Sequence, residues 1–337
     1  MQGCFLPSTD SSVCVSTRAD LMSLDDLHTV DTVLNADCVA WCPHPGLQSL
    51  LLCSTYQLIE GRRTGSLLLF STDRELRLLQ VVVNMQGIFD FKWSPPNLSP
   101  IMVAAADSNG HVVLLRLDEA FNLLRMVSST KLADSMALYV DWRESNLAVS
   151  FSDGSVSLFE INNSTLSCIQ TFKNHSLEAW AAVFDVNDKN ILYTGGDDCL
   201  LTVTDLRSQQ LISKGRYHTA GVTHFMTNRH RPDNFVTGSY DELICLWDSR
   251  KLKAPVHELG LGGGVWRIQS ENSANPKIAA ACMFKGFKFI ELNTEGFKEV
   301  GDFRSDERCL AYGVAISEEN KIAMCTFYDH KLHVSKS

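Results

Sequence analysis

Short apolar runs, three to six residues long and bounded by small or polar turn residues, recur along this chain at a nearly constant interval. Runs at 67–70, 112–117, 156–161, 200–203, 243–247, 287–292 and 332–334 either alternate or are continuously apolar, the two patterns of half-buried and fully buried strands. Turn clusters such as Asp107-Ser108-Asn109-Gly110 and Ser152-Asp153-Gly154 punctuate them. Taking Gly65, Gly110, Gly154, Cys199, Glu242, Gly286 and His330 as turn markers, subtraction of neighbouring positions gives spacings of 43 to 45 residues. Independent elements do not keep such time, so the chain is read as a repeat.

A period in the low to mid forties with four short strands per unit is the signature of a WD-type β-propeller. Seven markers therefore predict an all-β, seven-bladed single domain. Two units carry the pattern best: 175–207, with Tyr193-Thr194-Gly195-Gly196-Asp197-Asp198, and 218–250, with Thr237-Gly238-Ser239-Tyr240-Asp241 and the closing Trp247-Asp248. Trp41, Trp93 and Trp142 share one repeat position, which Phe184 and Met226 take in later units. Blades are expected near 33–70, 88–117, 137–161, 175–207, 218–250, 263–292 and 312–336, within a propeller of residues 31–337. Residues 1–30 read as a weakly ordered tail, polar and poor in β-branched side chains. A strand over 28–34 should close the ring on the last blade, because an open edge there would invite pairing with other chains. Only 21–27 hints at a helix.

With 45% apolar and 20% charged residues, the 337-residue chain can fill seven interfaces between blades. No apolar run approaches the ~18 residues of a membrane span, and Met1 to Asp10 lack the features of a secretory signal, so a cytoplasmic protein is expected. The eleven cysteines include no C-x-x-C pair and no second ligand pair beyond Cys38 and Cys42. Reduced, mostly buried thiols follow, with no metal and no cofactor, and the sequons at Asn162, Asn163 and Asn174 are turn residues. A net charge of −9 argues against nucleic acid as a ligand and favours a cationic partner; a monomer is expected.

The usual catalytic signatures are missing: no nucleophile elbow, H-E-x-x-H or phosphate-binding loop occurs. Gly260-Leu261-Gly262-Gly263-Gly264 precedes a strand and reads as a loop between blades. In WD repeats a His, a Thr, an Asp and a Trp form a buried hydrogen-bonded relay, which His218, Thr237, Asp241 and Trp247 fit. His175, Thr194 and Asp198 repeat it, but Thr204 replaces the Trp, so that relay should be weaker. Residues the blades do not need cluster where one mouth of the channel should lie: Glu178, Trp180, Tyr240, Trp266, Arg267 and Tyr312. Aromatic faces beside an acid suit a cation; alternatively Trp180 and Trp266 wedge between blades.

These same segments resemble the WD-repeat diphthine methyl esterase family, also called diphthine methyltransferase homologs. The stretches that carry the resemblance are Ala36-Asp37-Cys38-Val39-Ala40-Trp41-Cys42-Pro43, Thr55-Tyr56-Gln57-Leu58, Glu178-Ala179-Trp180, Tyr193-Thr194-Gly195-Gly196-Asp197-Asp198, Thr237-Gly238-Ser239-Tyr240-Asp241-Glu242, Gly263-Gly264-Val265-Trp266-Arg267-Ile268, Ala280-Ala281-Cys282-Met283 and Phe327-Tyr328-Asp329-His330. The likeness covers about 32–334. It implies a hydrolase of diphthamide biosynthesis that removes the methyl ester of methylated diphthine on translation elongation factor 2, a substrate with a trimethylammonium beside the ester. For the chemistry two options stand open: water activated by His175 with Asp197 and Arg267, or attack by Cys282 as a thiolate. Glu178, Trp180, Tyr240, Trp266 and Tyr312 are the expected substrate contacts. The competing classes are a non-catalytic adaptor and a receptor for methylated peptides.

Overall fold

The computed structural model describes residues 24, 27–306 and 309–335. Every regular element among them is a strand, and the strands form seven antiparallel sheets arranged as a seven-bladed propeller. The tail before residue 24 lies outside the described residues, as does the helix expected over 21–27 apart from Leu24 and Leu27, which pack against the cluster between blades 6 and 7.

Blades 1 to 6 span 36–86, 88–131, 137–172, 179–215, 222–260 and 267–303, and blade 7 combines 311–334 with His28–Asp31. That first strand pairs antiparallel with Lys331–Val334, from His28 opposite Val334 to Asp31 opposite Lys331, so the two ends of the chain close the ring. The blade limits read from the sequence stop short of the outer strands, such as Arg77–Gln86, Leu123–Lys131 and Gln210–Gly215. These strands are largely exposed, so burial imposes little periodicity on their sequence.

Packing follows from the repeat. Seven clusters of buried side chains lie one at each junction between neighbouring blades; Leu52, Leu67, Phe91 and Leu115, for example, join blades 1 and 2. Trp41, Trp93, Trp142 and Phe184 do share a register position near the end of an inner strand, opposite Leu51, Val103, Leu147 and Leu192. In blade 5 that position belongs to Thr227, opposite Phe235, and not to Met226. A one-residue offset turns a strand side chain to the other face.

Six of the seven turn markers adopt the left-handed conformation, with φ from +56° at His330 to +82° at Gly154. Gly65 does not: it lies inside the strand Arg62–Ser71. Blade 1 instead carries an inserted hairpin, with Gln57–Ile59 paired to Arg62–Thr64 across the two-residue turn Glu60-Gly61. Both turn residues have positive φ, +49° and +78°, as a tight type I′ hairpin turn demands.

Candidate active site

Six inner strands share an irregularity at their first residues: the register slips between Ala36 and Val39, Ile88 and Asp90, Ala137 and Tyr139, Ala179 and Ala181, Val222 and His224, and Ala311 and Gly313. A bulge re-aims the side chains around it, and here it sorts them into two tiers. The residue after the opening one is Asp37, Phe89, Leu138, Trp180, Thr223 or Tyr312, and in blade 6 Trp266 follows Val265. The next residue is Cys38, Asp90, Tyr139, Ala181, His224, Arg267 or Gly313.

The first tier makes an aromatic rim. Trp180 lies edge-on to Trp266 at 5.4 Å between ring centroids, Tyr240 lies 5.5 Å from Trp266, and Trp266 lies 5.1 Å from Tyr312. The chain of rings continues from Tyr312 to Phe327 at 4.7 Å, to Tyr56 at 6.0 Å and to Phe89 at 5.0 Å. Trp180 Nε1 donates to Asp197 Oδ1 at 3.0 Å, placing a carboxylate beside the rim. Two glycines make room for it: a Cβ on Gly264 would stand 3.2 Å from the Tyr240 ring, and one on Gly87 only 2.4 Å from the Tyr56 ring.

The second tier, with Asp37, makes a buried charge cluster. Arg267 donates to Asp90 at 2.6 Å, to Asp37 at 3.4 Å and to the Phe89 carbonyl. Cys38 donates its thiol to Asp90 at 3.3 Å. Lys92 stands 5.1 Å from the Tyr139 ring centre, and Tyr139 meets His224 edge-on at 5.5 Å. Burial raises the Asp37 pKa to about 7; the positive charge of Arg267 opposes the rise and the negative charge of Asp90 adds to it. Burial works against the charge of Arg267 too, but the acidic groups around it outweigh that and hold it ionised. His224 is held neutral by burial and by the nearby Lys92 and Arg267.

Two cavities meet at this cluster. A large one of about 360 Å³ is lined by Lys92, Asp141 and Gln269, and a small one of about 20 Å³ lies among Phe89, Trp180 and Trp266; Tyr139, His224 and Arg267 line both. Around the small cavity, Trp266 Nε1 and Arg267 Nε are buried donors without a partner among the described residues. Leaving such donors unpaired costs about 1–3 kcal/mol each, an arrangement in keeping with a site that binds something.

The candidate residues thus separate. Trp180, Tyr240, Trp266, Tyr312 and Asp197 meet at one mouth, with Arg267 beneath them; Glu178 is half-buried next to Trp180 in sequence, its carbonyl accepting from the Asp197 amide at 2.8 Å. His175 does not join them. Its Nδ1 lies 2.9 Å from Asp198 and its Nε2 2.7 Å from Thr194, so both ring nitrogens are engaged inside blade 4 and Asp197 is not its partner. Cys282 is fully buried between blades 5 and 6, its thiol pushed up to about 12 by burial, which disfavours a thiolate. In blade 5 His218 lies 2.9 Å from Asp241 and 2.8 Å from Thr237, to which Trp247 donates at 2.8 Å. Blade 4 completes its relay without a Trp, through Thr202 at 2.5 Å from Thr194 and Asn174, which donates to Thr204.

Asp37, Asp90, Lys92 and Tyr56 were not singled out as site residues from the sequence. Aligning the units on the residue that opens each inner strand would have found Asp37, which occupies the position held by Trp180, Trp266 and Tyr312 in other blades. Among the described residues no three His, Cys, Asp or Glu side chains are grouped so as to hold a metal ion.

No protein-family model matches the chain. It is 34% identical over 311 residues to the diphthine methyltransferase of Homo sapiens, covering 80% of this chain and 69% of that protein. It is also 34% identical over 299 residues to the diphthine methyltransferase of Mus musculus, covering 78% of this chain and 62% of that protein's length. Among solved structures, a chain in the crystal structure of a mitotic checkpoint complex superposes with a TM-score of 0.77 over 100% of this chain and 98% of the other, at 15% identity, a likeness of fold.

Proposed function

The chain belongs to the diphthine methyltransferase family, and from that premise we propose that it serves diphthamide biosynthesis as a carboxylic ester hydrolase, removing the methyl ester from methylated diphthine on translation elongation factor 2. The observation that carries this reading is the placement of Asp37, a buried carboxylate with a pKa of about 7, beside Arg267 and within the electrostatic reach of Tyr240 and Tyr312. The substrate pairs a trimethylammonium with an ester. The rim supplies aromatic faces for the first, worth about 2 kcal/mol per desolvated cation–ring contact. Asp37 supplies a base for the second, with its pKa near the working pH as general-base catalysis favours.

In this mechanism Asp37 takes a proton from water as the oxygen bonds to the ester carbonyl carbon. The negative charge that develops on the carbonyl oxygen is met by the unpaired donors Trp266 Nε1 and Arg267 Nε. When the tetrahedral intermediate collapses, the bond to the methoxy oxygen breaks, Asp37 returns its proton and methanol leaves. The carboxylic acid left on the protein gives its proton to solvent and remains as the product carboxylate. No covalent enzyme intermediate is required, and neither Cys282 nor His175 takes part.

Incubating the purified protein with elongation factor 2 bearing methylated diphthine tests the reading. The expected result is a product lighter by the mass of one CH₂ group together with released methanol, and loss of both in Asp37→Asn. Binding without turnover would favour the adaptor, and uptake of a labelled methyl group from a donor would favour methyl transfer; either outcome sinks the hydrolase.

A further inference from the structure

A modified side chain presented by a folded protein brings the surrounding surface with it, and blade 1 departs from its six neighbours beside the mouth that would receive it. The other sheets have four strands; blade 1 has a fifth, Gln57–Ile59, in the inserted hairpin. The hairpin is anchored at its base. Gln57 Oε1 accepts from the Asn35 amide at 3.3 Å, and Arg63 O accepts from the Gly87 amide at 3.3 Å. It is joined to the rim as well, since Arg63 Nε donates to the Tyr56 hydroxyl at 3.2 Å and Tyr56 stacks on Phe89 and Phe327.

Its outer part is exposed. Leu58 and Ile59 are about half exposed, 53% and 50%, and Arg62 and Arg63 are exposed beside them. Between the hairpin and the outer strand of its own blade, Arg77–Gln86, runs a groove of about 420 Å³ lined by Arg62, Arg63, Thr64, Asn84 and Gln86, with Asn109 of blade 2 beside them and no carboxylate in its wall. Glu60 sits in the turn and does not line the groove. In a chain of net charge −9, a groove with two arginines, amide side chains and no acid is a local inversion of sign, and it attracts the opposite charge.

We propose that this hairpin is a docking arm and that its groove takes an acidic segment of the folded protein whose modified side chain enters the rim. The inference rests on the substrate reading above, but it concerns a different surface. Two features favour this occupant: the sign of the groove and its continuity with the rim through Arg63 and Tyr56.

The test separates docking from chemistry. Affinity for elongation factor 2 bearing methylated diphthine is measured directly, and steady-state hydrolysis is followed on that protein and on betaine methyl ester, a small trimethylammonium ester that cannot reach the groove while it occupies the rim. Arg62→Glu should weaken binding of the protein and raise its KM at least tenfold, with kcat and the small-ester rate unchanged. Arg62→Lys should restore most of the affinity, and added salt should weaken binding by the wild type more than by Arg62→Glu. Unchanged affinity in Arg62→Glu, or equal losses on both substrates, overturns the docking arm. If neither substrate is hydrolysed by the wild type, the hydrolase reading fails, while the binding measurement still decides the arm.

Discussion

Arg267 of blade 6 and Asp90 of blade 2 are 177 positions apart in sequence, and their charged groups meet at 2.6 Å in the channel. The same guanidinium reaches Asp37 of blade 1 and the Phe89 carbonyl, so one side chain ties three blades together. Removing it would leave two buried carboxylates without their counter-charge. Arg267→Met should therefore lower the unfolding free energy by about 3–5 kcal/mol, the usual consequence of breaking a buried ion pair from one side. Arg267→Lys should recover little of it, because an ammonium lacks the planar fork that serves several acceptors at once. Urea denaturation of the three proteins at one pH checks both expectations.

A pH profile follows from Asp37. A general base must be ionised, so kcat/KM should climb as pH rises toward about 7 and level off above it. Arg267, Tyr240 and Tyr312 face the group, and all three are raised well above that window. Stability should run the other way. Because the folded state holds this proton more tightly than the unfolded chain does, the group's contribution is fully present below its ordinary value of 3.8 and is lost as pH rises through about 7. The loss is on the order of 4 kcal/mol. Asp37→Asn should be inactive, should lack this pH-dependent loss and should be more stable than the wild type at pH values above 7. An Asp37→Asn variant that keeps its activity would exclude Asp37 as the base.

Substitutions at His175 and Cys282 should separate scaffold from site. His175→Ala removes one buried partner from each of Asp198 and Thr194 inside blade 4 and should lower stability by about 1–3 kcal/mol. The fraction that remains folded should keep the wild-type kcat/KM. Cys282→Ala removes a thiol buried between blades and should likewise leave kcat/KM unchanged. Alkylating reagents should not inactivate the folded protein through Cys282. A selective loss of kcat in either variant would restore that residue to the chemistry.

The propeller was legible because its repeat is enforced locally. A left-handed turn residue recurs where each blade turns between strands, and Gly110, Gly154, Cys199, Glu242, Gly286 and His330 all hold it. Gly65 keeps the same beat in the sequence, yet its turn has moved to Glu60-Gly61, since an inserted hairpin leaves no mark on spacings counted from flanking residues. The aromatic side chains stood out as residues the blades do not require, and the structure brings Trp180, Tyr240, Trp266 and Tyr312 into contact. The charge cluster was not legible. Asp37, Asp90 and Arg267 come from three blades, and nothing near any one of them in sequence announces the other two. His175 and Asp197 fall in one repeat unit, but the adjacent Asp198 is the one that reaches the imidazole.

The cation site is read from KM, apart from the loss of kcat expected when Trp266 no longer donates to the developing oxyanion. Trp266 touches Trp180, Tyr240 and Tyr312 and is the hub of the rim. Trp266→Ala should weaken substrate binding by about 2 kcal/mol, roughly thirtyfold in KM, whereas Trp266→Phe keeps a ring face and should lose much less. Loss of packing alone could also raise KM, so the comparison must isolate the charge. An ester whose trimethylammonium is replaced by the neutral, isosteric tert-butyl group fills the same volume without a cation. The wild type should prefer the charged ester, and Trp266→Ala should narrow that preference. An equal rise in KM for both esters would mean that the rim recognises shape, and the cation–π account would fall.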